Sequence, residues 1–183
     1  MLQGDNEMPE STFAPVVVNL LLGGLPKEEL EKVLECCECV DMAFGDILYD
    51  TDQPFLHVYF PLTGYVSHVT ELYGHQPLEM GLVGNEGMLG ATLSLGVNCA
   101  PMRAVVQGAG TALKMTASQL RRELTRCPCL QHSLNRYLFV LLAQLAQTAA
   151  CSHFHEIEPR LVCWLLLTHD RAHVDHFHLT QAY

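Results

Sequence analysis

Basic residues are scarce in this chain: 10 Lys and Arg stand against 20 Asp and Glu in 183 residues, a formal charge of −10. A surface with that balance repels a polyanion unless its few cations gather on one face, and here they are dispersed. Arg121, Arg122 and Arg126 come nearest to a basic group, and their spacing reads as the solvated end of one short helix. The chain as it stands is expected to be a poor DNA binder. Long hydrophobic runs are missing too. No stretch of about eighteen apolar residues occurs, and the opening residues, MLQGDNEMPEST, lack the basic start and apolar centre of a secretory leader. A cytoplasmic protein without a membrane partner is expected. The chain also lacks a nucleophile elbow, a phosphate loop, a metalloprotease helix and carboxylates paired at a motif spacing, so no enzymatic activity is expected. Nothing repeats internally.

Cysteine is plentiful, with eight residues, but in a reducing compartment these are expected as free thiols. Cys36, Cys37 and Cys39 are too crowded to pair with one another. His169, Asp170, His173, Asp175, His176 and His178 crowd together near the end of the chain. Neither group has the ligand spacing of a defined metal site, so no metal is assigned. His57, His68 and His75 lie in expected strands or turns with no partner identifiable from spacing.

Apolar residues make up 49% of the chain, enough for one domain with a real core. Residues 1 to 15 read as a loose lead-in. The segment VVVNLLLGGL and then PKEELEKVLECC predict two small helices, the second opened by Pro26. Between Val40 and Met115 the texture changes to short apolar runs, VDMAF, DILYD, LHVYFPL, YVSHVTELY, PLEMGLV, MRAVVQ and ALKM, punctuated by glycines. Many short strands with glycine corners predict a sandwich, jelly roll or barrel. A helix capped by Thr116 or Ser118 and ending near Arg126 follows. Pro128 separates it from a long helix over about 130–154, and a last helix runs from about Glu156 to Thr168.

The long helix carries two apolar stripes. Leu134, Leu138, Leu141 and Leu145 recur at four-three-four spacing, the seam a coiled-coil partner would fill, and Phe139, Leu142, Ala146 and Ala149 sit about a quarter turn away. One face is expected to pack on its own domain and the other on a second copy. A homodimer is therefore expected, with Leu134, Leu138, Leu141, Leu145, Thr148 and Ser152 at its interface.

The order of elements and six local phrases resemble the Crp/Fnr superfamily of bacterial transcription regulators. The phrases are FGDILYD (44–50), HVYFPLTGYVS (57–67), GLVGNEGMLG (81–90), MRAVVQGAG (102–110), LLAQLAQTAAC (141–151) and RLVCWLLLTHDR (160–171). The resemblance implies an α+β architecture: a double-stranded β-helix, or jelly roll, of the cyclic-nucleotide-binding type over 1–128, a dimerisation helix over 129–155, and over 156–183 a linker helix with the start of a winged helix-turn-helix. In similar proteins the DNA-reading part opens near Leu179 to Gln181. DNA is thus expected as a partner only through a further C-terminal segment.

The resemblance also implies an effector pocket in the roll, lined by Gly84, Glu86, Gly87, Met88, Leu89, Gly90, Ala91, Met102 and Arg103. The usual cyclic-nucleotide cassette needs an acid for the ribose and an Arg for the phosphate. Ala91 stands where the acid should be and Met102 where the Arg should be. Arg103 lies one place off, and alternation along a strand points it out of the pocket. cAMP and cGMP are therefore not expected, and the effector has no assigned identity. A pocket filled by Met88, Leu89, Leu93 and Met102 is the alternative, which makes the chain a structural dimerisation module. A metal or redox sensor is a third reading, since the Fnr branch holds an iron–sulfur cluster and Cys36, Cys37, Cys39 with Cys99 or Cys127 echo its ligands. Glu86 is expected to be a solvent-facing turn residue or a cap on the short helix that follows.

Overall fold

A computed structural model describes residues 19–71 and 73–172. The seven apolar runs become seven strands: β1 (Glu38–Met42), β2 (Ile47–Tyr49), β3 (His57–Pro61), β4 (Tyr65–Thr70), β5 (Leu78–Val83), β6 (Arg103–Gly108) and β7 (Gly110–Thr116). They pair antiparallel in two sheets, one ordered β1-β7-β3 and the other β2-β6-β4-β5. The chain crosses between the sheets at the β3–β4 and β6–β7 corners, and these corners press backbone on backbone. Gly64 has φ +71°, and a Cβ there would stand 2.3 Å from the Gly108 carbonyl oxygen, so only glycine fits. Inward-facing side chains from both sheets fill the roll: Met42 and Ala112 from one, Val66, Val83, Ala104 and Val106 from the other, with Leu89 among them.

Among the described residues, five α-helices pack around the roll. Asn19 caps α1 (Leu20–Gly23) through its side-chain oxygen, and Pro26 opens α2 (Lys27–Leu34) with Glu28 and Glu29 in its first turn. Thr116 and Gln119 close a reciprocal capping box on α3 (Ala117–Arg126), and Pro128 takes the first position of α4 (Pro128–Phe154). The last helix is α5 (Ile157–Ala172). Helices and roll share a second apolar core, in which Leu22 of α1, Val33 of α2, Leu120 of α3 and Leu130 and Leu134 of α4 pack with Val58, Phe60 and Met115. Fully burying a side chain of this size stabilises the fold by about 1.5–3 kcal/mol.

At its N-terminal end the first stripe of α4 faces its own domain. Leu134, expected at a dimer seam, is 0% exposed within its own chain, and Leu138 packs partly against the same core. The exposed face carries Phe139 at 72% and Leu142 at 65%, with Val140 beside them. The physical reason is continuity: the stripe facing the domain must extend the buried residues with which the helix begins, Leu130 and Leu134. By length and composition α4 could also cross a membrane, but those two residues anchor its first turns in the core shared with the roll.

Candidate functional site

Where α4 crosses the roll, a cavity of about 30 Å³ lies between them. Met88, Gly90, Ala91 and Met102 line it. Leu138 and Leu141 of α4 close it, and Tyr49, Phe55, His68, Thr92 and Pro101 complete the wall. Gly90 has φ +87°, and a Cβ there would meet Val58 Cγ1 at 2.8 Å, so glycine is required to bring the loop this close to β3. The neighbouring Leu89 exchanges backbone hydrogen bonds with Tyr59, its amide donating at 2.8 Å. Its side chain fills the roll interior instead of the cavity.

The polar part of the cavity is a pair that sequence spacing did not reveal. The Tyr49 hydroxyl and His68 Nε2 share a hydrogen bond at 3.0 Å. Their strands are not neighbours, because β6 lies between β2 and β4. Burial pulls the His68 imidazole down to about 4 and pushes the Tyr49 phenol up, so both are neutral at ordinary pH. Thr92, in the 3₁₀ helix Ala91–Leu95, carries a buried hydroxyl without a hydrogen-bond partner.

Arg103 turns away from the cavity. Its guanidinium clasps Asp50 through Nε at 2.9 Å and Nη2 at 3.2 Å, and also pairs with Glu71. Its hydrogen bond is the main reason that the Asp50 carboxyl is held below its ordinary range. β-Strand alternation sets this direction, since Ala104 and Val106 point into the roll.

Gly84, Glu86 and Gly87 do not line the cavity either. They form a loop on which several elements converge. Asn19 donates to the Gly87 carbonyl at 2.7 Å, and the Leu20 amide donates to that of Asn85 at 2.7 Å. Tyr137 of α4 occupies the space beside Gly87, where a Cβ would lie 2.4 Å from the phenolic oxygen. Glu86 lies in a turn with its side chain 36% exposed, and its bonds go to groups other than the 3₁₀ helix. Its carboxylate accepts from the Gly84 amide at 3.1 Å and from Arg171 Nε of α5 at 2.8 Å. Arg171 is only 8% exposed, so its charge depends on that partner. A second clasp holds α5 further along: Trp164 Nε1 donates to Glu79 at 2.6 Å, and Ser67 donates to the other oxygen of Glu79 at 2.5 Å.

The cysteine group shows no ligand geometry. The Cys37 thiol donates to the Val33 carbonyl at 3.2 Å and is pushed up to about 12, chiefly by burial. Cys36 lies beside Arg122 and Glu123, and all eight cysteines are free. Among the described residues no three His, Cys, Asp or Glu side chains converge as metal ligands. His173, Asp175, His176 and His178 lie outside the described residues.

No protein-family model matches the sequence and no curated protein does. Solved structures do. The c-di-GMP-responsive global regulator CLP of Xanthomonas campestris superposes with a TM-score of 0.65 at 15% identity, over 77% of this chain and 71% of that one. A variant of CooA from Carboxydothermus hydrogenoformans gives 0.59 at 16% identity, over 88% of this chain and 99% of that one. A cyclic nucleotide-binding domain from Methylobacillus flagellatus gives 0.53 at 14%, over 79% and 82%. The fold is that of a cyclic-nucleotide-binding-type domain. The likeness agrees in fold with the resemblance read from the sequence. Within this cyclic-nucleotide-binding-type fold the cavity lies in the roll, and the helix that follows the roll closes it.

Proposed function

We propose that this chain is the sensor and dimerisation region of a Crp/Fnr-like transcription regulator, cytoplasmic and not an enzyme. A small effector would bind in the roll, and DNA would be reached only through a further segment. The observation that carries the reading is the position of α4. Leu138 and Leu141 help close the cavity, while Phe139 and Leu142 stand exposed on another side of the same two turns. An occupant that displaces the first pair must move the second, so a change in the cavity becomes a change in the surface offered to a second copy. The formal charge of −10 also supports sensing over gripping DNA.

In this reading the dimer seam runs along Phe139, Leu142, Ala146 and Ala149, with Leu145, Thr148 and Ser152 at its margin. Replacing Phe139 and Leu142 together by Asp puts charges on positions that are exposed in the single chain, so the fold should persist while the dimer dissociates. Light scattering with circular dichroism makes the test. A folded variant of half the wild-type mass is expected, and a variant with unchanged dimer mass refutes the seam.

The small cavity favours a second reading, a structural dimerisation module with no effector. Binding to the cavity separates the two.

A further inference from the structure

We propose that the roll cavity accepts a small uncharged molecule with an apolar body and one hydroxyl-type group, and that Thr92 with the Tyr49–His68 pair reads that group. The inference rests on the sensor reading above and names its ligand class. Three independent observations carry it.

The first is charge. Among the described residues no cationic side chain lines the cavity, because Arg103 is committed outside to Asp50 and Glu71. Burial holds His68 neutral, with its imidazole pulled down to about 4. A phosphate placed here would lose its hydration with no countercharge in return, so nucleotides are rejected by the wall itself. The second is an unused polar group. Thr92 Oγ1 is buried without a hydrogen-bond partner among the described residues, a state that a guest hydroxyl relieves. Tyr49 and His68 already satisfy one another at 3.0 Å and can extend a chain of hydrogen bonds to the same guest. The third is shape. The rest of the wall is largely apolar, with Phe55, Met88, Met102, Leu138 and Leu141 around the void. The space is about 30 Å³, more than the roughly 10–15 Å³ that one water needs. A guest of more than a few atoms must therefore push on Leu138 and Leu141, the two lining residues that belong to α4.

The test titrates phenol, toluene and cAMP into the full chain and into Leu141→Ala, Thr92→Val and Thr92→Ser. Calorimetry gives the affinity, and the His68 imidazole resonances locate the guest. Leu141→Ala should bind phenol roughly tenfold more tightly than wild type, because no side chain need be displaced. Phenol should be preferred to toluene by roughly three- to tenfold, the worth of one hydrogen bond. That preference should vanish in Thr92→Val and survive in Thr92→Ser. Equal affinity for phenol and toluene, micromolar binding of cAMP, or no binding of either aromatic probe even by Leu141→Ala overturns the proposal.

Light scattering on the same samples separates this result from the sensor reading. Phenol bound in the cavity with no change in dimer stability sinks the sensor reading and leaves the ligand class standing. A dimer that responds to cAMP and not to phenol does the reverse.

Discussion

Acid should destabilise this domain through His68. The imidazole is buried on β4, hydrogen-bonded to Tyr49 at 3.0 Å, and pulled down to about 4 from an ordinary 6.5. Among the described residues no carboxylate lines the cavity on which it borders, so none of them compensates a proton once it is gained. The folded imidazole binds its proton less readily than the unfolded one. Its contribution to stability is therefore fully present above pH 6.5 and drains away as the pH falls through the window from 6.5 to about 4. The whole window corresponds to about 3 kcal/mol, of which about 2 kcal/mol is lost between about pH 7 and about pH 5. Against a total stability of about 5–15 kcal/mol for a domain, that loss is easily measured. Urea denaturation of wild type and His68→Gln at both pH values isolates the group, because the surface carboxylates titrate alike in the two proteins. Wild type should lose about 2 kcal/mol more than the variant. Equal losses, or an imidazole titrating near its ordinary value by NMR, would refute the reasoning.

Two further outcomes concern the 84–87 loop. Arg171→Met removes the charge that Glu86 holds, so amide exchange across 157–172 should accelerate roughly ten- to hundredfold, the worth of a hydrogen bond between charged groups. The strands should be unaffected, and a uniform acceleration through β4 and β6 would show that α5 does not open as a unit. Gly87→Ala places a Cβ 2.4 Å from the Tyr137 hydroxyl. A loss of about 1–3 kcal/mol by calorimetry is expected from such overpacking, and an unchanged melting temperature would mean that Tyr137 moves aside freely.

The strands and caps were legible because their signals are local. Each glycine-bounded apolar run became a strand, Thr116, one of the two expected caps, is the one that caps α3, and Pro128 marks the start of α4. The outward turn of Arg103 was legible for the same reason: alternation along β6 depends only on its neighbours. What stayed hidden depends on non-neighbouring pieces meeting. Tyr49 and His68 are 19 residues apart on strands separated by a third, and no spacing rule joins them. Glu86 and Arg171 are 85 residues apart, and the pair exists only because α5 folds back onto the roll. The burial of Leu134 within its own domain had a signal that could have been used. Cys127, Leu130 and Leu134 begin the helix as one buried line, and Leu138 with Leu141 simply continues it.

The 84–91 segment ties these pieces together. One part, with Met88, Gly90 and Ala91, lines the cavity, and the other, Gly84 to Gly87, carries Glu86 and abuts Tyr137 and Arg171. A cavity occupant and a docked α5 therefore act on the same few residues. Coupling between two such sites is reciprocal: if filling the cavity loosens the Glu86–Arg171 clasp by some factor, pulling α5 off the roll must favour the occupant by the same factor. Phenol should therefore change the opening equilibrium of α5 in Leu141→Ala by the same factor by which opening of α5 changes the affinity for phenol. Calorimetry and hydrogen exchange measure the two sides separately. A shift on one side without its equal on the other would mean that the cavity and α5 communicate through some element other than this loop.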